Sequence, residues 1–173
     1  LVTHGLVHGG WWHAGLNALF ILLIGSRIEH MAGRSAVSAA LWLGVFGGGL
    51  CHLLLGSGLL VGISGGCFAL LLLLATLSPE SRMVPLMVSA KSLGIGLLLA
   101  ELLLALINPA VELPGLSRIG ELLVDHGMGW WFRMGHACHF GGGVAGWLYG
   151  RWVLRPRVSL DRLRRDRARR EAG

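Results

Sequence analysis

The apolar residues of this chain gather into five runs, at about 11–26, 36–56, 64–78, 88–108 and 134–153, and most charges fall between or after them. Several runs approach or exceed the ~20 residues a helix needs to cross a bilayer. The pattern predicts an all-α, polytopic membrane helical bundle of about five transmembrane helices. The third run is short: it holds 15 residues, from Ser64 to Ser78, where the breaker "SPES" begins. As a helix it reaches only ~22 Å, against a hydrocarbon core of ~30 Å. It is expected to start below the membrane surface, after a loop that dips inward. Lipid leaves such backbone unsatisfied, so protein or a watery cavity must surround it.

Composition sharpens this picture. The chain is 54% hydrophobic and 14% charged, and one bundle consumes nearly all of its 173 residues. The expected organisation is a transmembrane domain over residues 1–153 and a basic tail over 154–173, with no second domain. Most of the 28 glycines sit inside the apolar runs, as in "GVFGGG" and "GGGVAG"; at more than twice ordinary usage, they imply close helix packing. Cys51, Cys67 and Cys138 are odd in number and lie in apolar segments, which argues against a disulfide framework.

Charge orients the spans. Arg27, Arg34, Arg82, Lys91 and the nine arginines from Arg151 to Arg170 fall on one side of the zigzag, and Arg118 and Arg133 on the other. By the positive-inside tendency the first side is cytoplasmic. The basic tail directly follows a span, so its expected partner is the cytoplasmic leaflet and not nucleic acid. Leu160 and Leu163 permit a short surface helix there. The chain opens on Leu1, almost on a span, without a signal peptide, and reads as the remainder of something longer.

This orientation brings three polar clusters to one depth, on the non-cytoplasmic side. The first span opens with "HGGWWHAGLN", where His13 and Asn17, four apart, share a helix face. The third opens with Ser64 in "GISGG", and the fifth with His136 and His139 in "GHACHFGGG". A lone polar residue in a span often only bonds a neighbouring helix. A hydroxyl, imidazoles and an amide converging from three spans supply more: a nucleophile, a base and oxyanion donors, the set that acyl transfer requires.

Three motifs in order carry a resemblance: His8, His13 and Asn17 form H-x4-H-x3-N, "GISG" forms G-x-S-G, and "HFGGGVAG" forms H-x-G-G-x3-G. In these the chain resembles the rhomboid family of intramembrane serine proteases, over nearly its whole length. The resemblance implies that Ser64 is the nucleophile and His139 its general base, a dyad with no acidic third member. It implies that Asn17, His13 and the Ser64 backbone N–H form the oxyanion hole. Gly62 and Gly65 would keep the serine turn narrow, His8 would be structural, and Gly142 and Gly146 would draw the fifth span close. The implied substrates are transmembrane proteins cut in or near their spans, with no metal and no other cofactor, in a bacterial inner membrane with the site opening away from the cytoplasm. The residues of the loop over 108–132 would cap the site, and the fourth span, with Gly94 and Gly96, would be a side gate. The family's six-helix core has a span and a membrane-dipping loop before "HGGWWH" that are absent here. Cys138 stands where the family commonly has Ala.

Other readings stay open at this point. A non-catalytic relative that binds and routes membrane proteins would have lost a dyad residue, and both are present. A rhombosortase-type protease trimming C-terminal sorting segments fits the same motifs. A metal site built from His4, His8, His13, His136 and His139 lacks any H-E-x-x-H. Cys67 is a rival nucleophile on the same helix, in apolar surroundings. His136 is expected near the surface and solvated. Glu101, in "LLLAELLLAL", lies mid-span with no partner evident from the sequence. Oligomeric state is not legible.

Overall fold

The computed structural model describes residues 1–154 and 160–171. The helices are α1 (Trp11–Ala32), α2 (Arg34–Leu55), α3 (Ser64–Leu77), α4 (Ala90–Leu106), α5 (Leu116–Leu123), α6 (His136–Val153) and α7 (Leu160–Glu171). The five runs correspond to α1–α4 and α6. The first helix continues to Ala32, past the predicted end, because Gly33, with φ +84°, is the residue that breaks it. Most of the basic tail is α7; residues 155–159 and 172–173, with Arg155 and Arg157, lie outside the described residues.

The bundle is built around α3, which packs against α1, α2, α4 and α6. Its apolar residues run round the whole circumference, and Leu70, Leu71, Leu73 and Leu74 are fully buried. A helix apolar on every side belongs in the centre of a bundle. The outer helices reverse the usual arrangement of a water-soluble protein. Leu22, Leu53, Leu54, Leu99, Trp147 and Trp152 all face outward, and a belt of this size calls for a lipid surround. Among the described helices α2 alone is long and continuously apolar enough to cross a membrane by length and composition. With 14 and 17 residues α3 and α4 are shorter, and polar residues and glycines dilute α1 and α6.

Glycines close the seams. A Cβ at Gly44 of α2 would lie 2.7 Å from the Gly65 carbonyl of α3, and one at Gly48 of α2 would lie 2.7 Å from the Cys138 carbonyl of α6. A Cβ on Gly142 would collide with the Gly65 backbone, and one on Gly146 with that of Ala69. Here α3 and α6 touch backbone to backbone, the close approach that small residues allow. All three cysteines are free.

Two loops frame the bundle's ends. Between α3 and α4 a short antiparallel hairpin pairs β1 (Arg82–Met83) with β2 (Val88–Ser89). Arg27 of α1 donates to the Arg82 carbonyl at 3.2 Å and ties the hairpin down. At the opposite end, the non-helical stretch from Gly56 to Ile63 leads into Ser64, and the Gly62 N–H donates to the His4 carbonyl at 2.9 Å.

Candidate active site

Ser64 is the first residue of α3, so its backbone N–H has no acceptor within the helix. Gly62, two residues earlier, has φ +107°, a conformation L side chains rarely adopt, and a Cβ there would lie 2.5 Å from the His13 ring. Glycine at this position therefore both makes the turn and leaves room for His13.

Ser64 Oγ lies 2.8 Å from His139 Nε2. In the tautomer that carries its proton on Nδ1, Nε2 accepts from the Ser64 O–H, the direction a general base requires. The two residues are 75 positions apart in the chain, and the Gly65–Gly142 contact next to them brings α6 close enough for the bond. The His139 ring lies flat on Phe68, with centroids 4.6 Å apart and planes 6° from parallel. Phe68 is one turn along α3 from Ser64, so one helix face supplies both the hydroxyl and the surface on which its partner ring rests.

The donor side comes from α1. Asn17 is buried; its Oδ1 accepts from the Cys67 thiol at 3.6 Å, and its Nδ2 is buried without a partner. A buried amide with its oxygen engaged and its nitrogen free is a donor waiting for an acceptor. His13 Nδ1 accepts from the Gly9 N–H at 3.4 Å, which leaves the proton of the neutral ring on Nε2. His8 stands edge-on to His13, with ring centroids 5.3 Å apart. It supports the His13 ring and does not line the cavity.

A cavity of about 750 Å³ collects these groups: His13, Asn17, Ser64, Phe68 and His139 all line it. Phe132 to Gly135 and Asn108 close part of its rim, so the two ends of the loop reach the site. The amphipathic α5 in the middle of that loop packs mainly against its own flanking turns, with Gly120 tucked against the Ile107 carbonyl. Gly94 of α4 packs on Ala75 and Leu72 of α3, whereas Gly96 faces open space.

Two expectations are corrected. His136 is not solvated: it is 2% exposed, with Nε2 2.8 Å from the Trp131 carbonyl and Nδ1 2.6 Å from Glu101 Oε2. The carboxylate arriving from α4 provides the polar partner that makes its burial tolerable. Nor is the Ser64–His139 pair without an acid beside it, because Glu101 Oε2 lies 3.2 Å from His139 Nδ1. The partner of Glu101 was invisible in sequence because 35 residues separate it from His136. A mid-span carboxylate had to pair inside the bundle, which was the available signal. Phe68 was missed outright, although an aromatic four residues after a reactive serine shares its helix face.

Glu101, His136 and His139 bring three ligand-type atoms within 4.8 Å of one another. Two ligands each ~2.0 Å from a tetrahedral zinc stand ~3.3 Å apart. The 2.6 Å between Glu101 and His136 is the spacing of a shared proton. Cys67 is buried beside Asn17 with its thiol directed at that residue, on the donor side of the cavity.

A family model described as Rhomboid domain matches residues 1–156. No curated protein and no solved structure matches the chain.

Proposed function

The chain belongs to the rhomboid family of membrane-embedded proteins, in general intramembrane serine proteases, and from that premise we propose that it is an active intramembrane serine endopeptidase. The observation that carries this reading is the 2.8 Å contact between Ser64 Oγ and His139 Nε2 at the wall of a cavity. Substrates are transmembrane segments of other membrane proteins.

In this mechanism Ser64 Oγ attacks the scissile carbonyl carbon while its proton passes to His139 Nε2. The C–O bond forms as the carbonyl π electrons move onto oxygen. The resulting oxyanion accepts from Asn17 Nδ2, His13 Nε2–H and the Ser64 N–H, donors that stand free before the charge develops. Collapse breaks the C–N bond, and the proton on Nε2 goes to the leaving amine. Water, giving a proton to His139 Nε2, then adds to the acyl carbon, and collapse breaks the bond to Ser64 Oγ, which takes that proton back from Nε2. The cavity between His13, Asn17 and Ser64 gives both water and an unwound substrate room to reach the hydroxyl.

The arginines near the ends of α1, α2 and α6 orient the protein with those ends and its tail in the cytoplasm, and the cavity facing away from it. The fitting location is a bacterial inner membrane, with residues 1–153 as the protease domain. Labelling of membranes with a serine-directed fluorophosphonate tests the reading. Ser64 is expected to label and to cleave a model transmembrane substrate, and Ser64→Ala to do neither while inserting normally. A binding and routing role without catalysis would leave the wild-type protein unlabelled, and persistence of cleavage in Ser64→Ala with loss in Cys67→Ala would move the nucleophile to Cys67.

A further inference from the structure

Beside the Ser64–His139 pair lies a cluster that the two-residue mechanism does not use; its histidines line the cavity and its carboxylate stands behind them. Glu101 projects from the middle of α4 into the bundle, with its side chain 13% exposed. Its Oε2 meets two imidazoles of α6: His136 Nδ1 at 2.6 Å and His139 Nδ1 at 3.2 Å. The two rings are mutually perpendicular, with centroids 6.3 Å apart, so one oxygen lies within reach of both.

The hydrogen-bond inventory of His136 fixes the proton count. Its Nε2 faces a carbonyl oxygen, which only accepts, so Nε2 carries a proton. Its Nδ1 faces a carboxyl oxygen at 2.6 Å, and two bare acceptors do not approach so closely. One proton therefore lies between Glu101 and His136. His136 is anchored at its other end by Trp131 in the turn that enters α6, so the carboxyl group is held from a fixed point.

The same kind of inventory applies to His139. Where its Nε2 receives the Ser64 hydroxyl, as the base role requires, the ring proton of the neutral form is on Nδ1. That nitrogen is buried and has no aligned hydrogen-bond partner among the described residues. Glu101 Oε2 stands at 3.2 Å, off the line a full bond needs. Catalytic hydrogen bonds in unliganded enzymes are often long and tighten when substrate binds.

We propose that Glu101 is a positioning residue for the reaction: its Oε2 receives the His139 Nδ1–H, selects the tautomer that leaves Nε2 free for Ser64, and faces the imidazolium formed when Nε2 takes the serine proton. The proton stays on His139, and the carboxyl group holds and orients the ring. His136, tied to the Trp131 carbonyl, holds the carboxyl group in turn. The arrangement is a relay of four side chains, Ser64, His139, Glu101 and His136, drawn from three helices. This inference rests on the Ser64–His139 reading of the function.

The isosteric Glu101→Gln variant tests it, with kcat counted per site that labels exhaustively at Ser64, so that misfolded protein does not enter the rate. The expected result is a fall in kcat of at least ~10-fold, bounded by the ~10²–10⁴ that general-base catalysis itself supplies, with KM little changed. An unchanged kcat per labelled site would overturn the inference while leaving the function intact. A wild-type protein without Ser64-dependent cleavage would overturn the function and this inference with it. If Glu101→Gln does not fold, wild-type protein labelled with ¹⁵N at histidine carries the test. Two strongly deshielded imidazole N–H resonances are expected, one of which disappears in His139→Ala. A single deshielded resonance that survives in His139→Ala would overturn the proposal. Stoichiometric zinc that co-purifies with the wild type and is lost from Glu101→Gln would also overturn it.

Discussion

Ser64 stands between two helix contacts built in opposite ways. Towards α6 the backbones touch: Gly142 lies against Gly65 and Gly146 against Ala69, and a Cβ on Gly65 would come 2.9 Å from Cys138 Sγ. Towards α1 the side chains of His13 and Asn17 look across an open cavity, and Asn17 Nδ2 is buried with no partner among the described residues. The first contact sets a distance, because a 2.8 Å hydrogen bond between residues on different helices needs helix axes that do not shift. The second leaves room, because an extended substrate and a water must come to the hydroxyl from somewhere. One serine is thus served by a rigid side and an accessible side, and the division follows from where the chain spends its glycines.

The comparison breaks most completely at the rigid side. Gly142→Val drives a side chain into the Gly65 backbone, a contact that no flexible group can relieve. Overpacking of this kind costs ~3 kcal/mol. We expect cleavage at background level and a lowered thermal midpoint in detergent; a variant with wild-type turnover would show that the α3–α6 distance does not matter.

The accessible side should fail more gently and in a different parameter. Asn17→Ala removes one oxyanion donor and is expected to lower kcat by ~10²–10³ with KM little changed, since the oxyanion needs the bond more than the ground-state carbonyl does. Ser64 should still label. A large rise in KM at constant kcat would make Asn17 a substrate-binding or packing residue.

The smallest effect sharpens the contrast. Gly96 of α4 faces open space, with no atom near the position of an added Cβ. Gly96→Ala is expected to leave turnover within about twofold and to hold or slightly raise thermal stability, as glycine is the poorer helix former by ~1 kcal/mol. A strong loss of activity with stability intact would show that α4 moves during the reaction and that Gly96 serves this movement.

Hydropathy and motif spacing made much of this molecule legible in advance. The five long helices lie where apolar run length puts them, since a membrane span is a local property that needs no partner to be recognised. Four of the residues that line the cavity, His13, Asn17, Ser64 and His139, were also named from sequence, because His13 and Asn17 share a face by helical periodicity and Ser64 opens its helix after a glycine turn. Gly142 and Gly146 were expected to bring α6 close from their spacing of four alone.

What lay beyond the sequence was every relation across helices. Nothing local tells Glu101 that His136, 35 positions later, will be its partner, or that His139 will stand on the far side of the same oxygen. His136 and His139 are three apart on one helix, and in the sequence only the glycines after His139 tell them apart. Only the arrival of α3 on one side and α4 on the other gives one a serine and the other a carboxylate. Composition and periodicity determined which residues are apolar enough to enter the membrane and which polar ones travel with them. The backbone contacts between α3 and α6, and the depth at which α4 carries its single carboxylate, decided which of those polar atoms meet, because hydrogen bonding depends on tenths of an ångström that only packing controls.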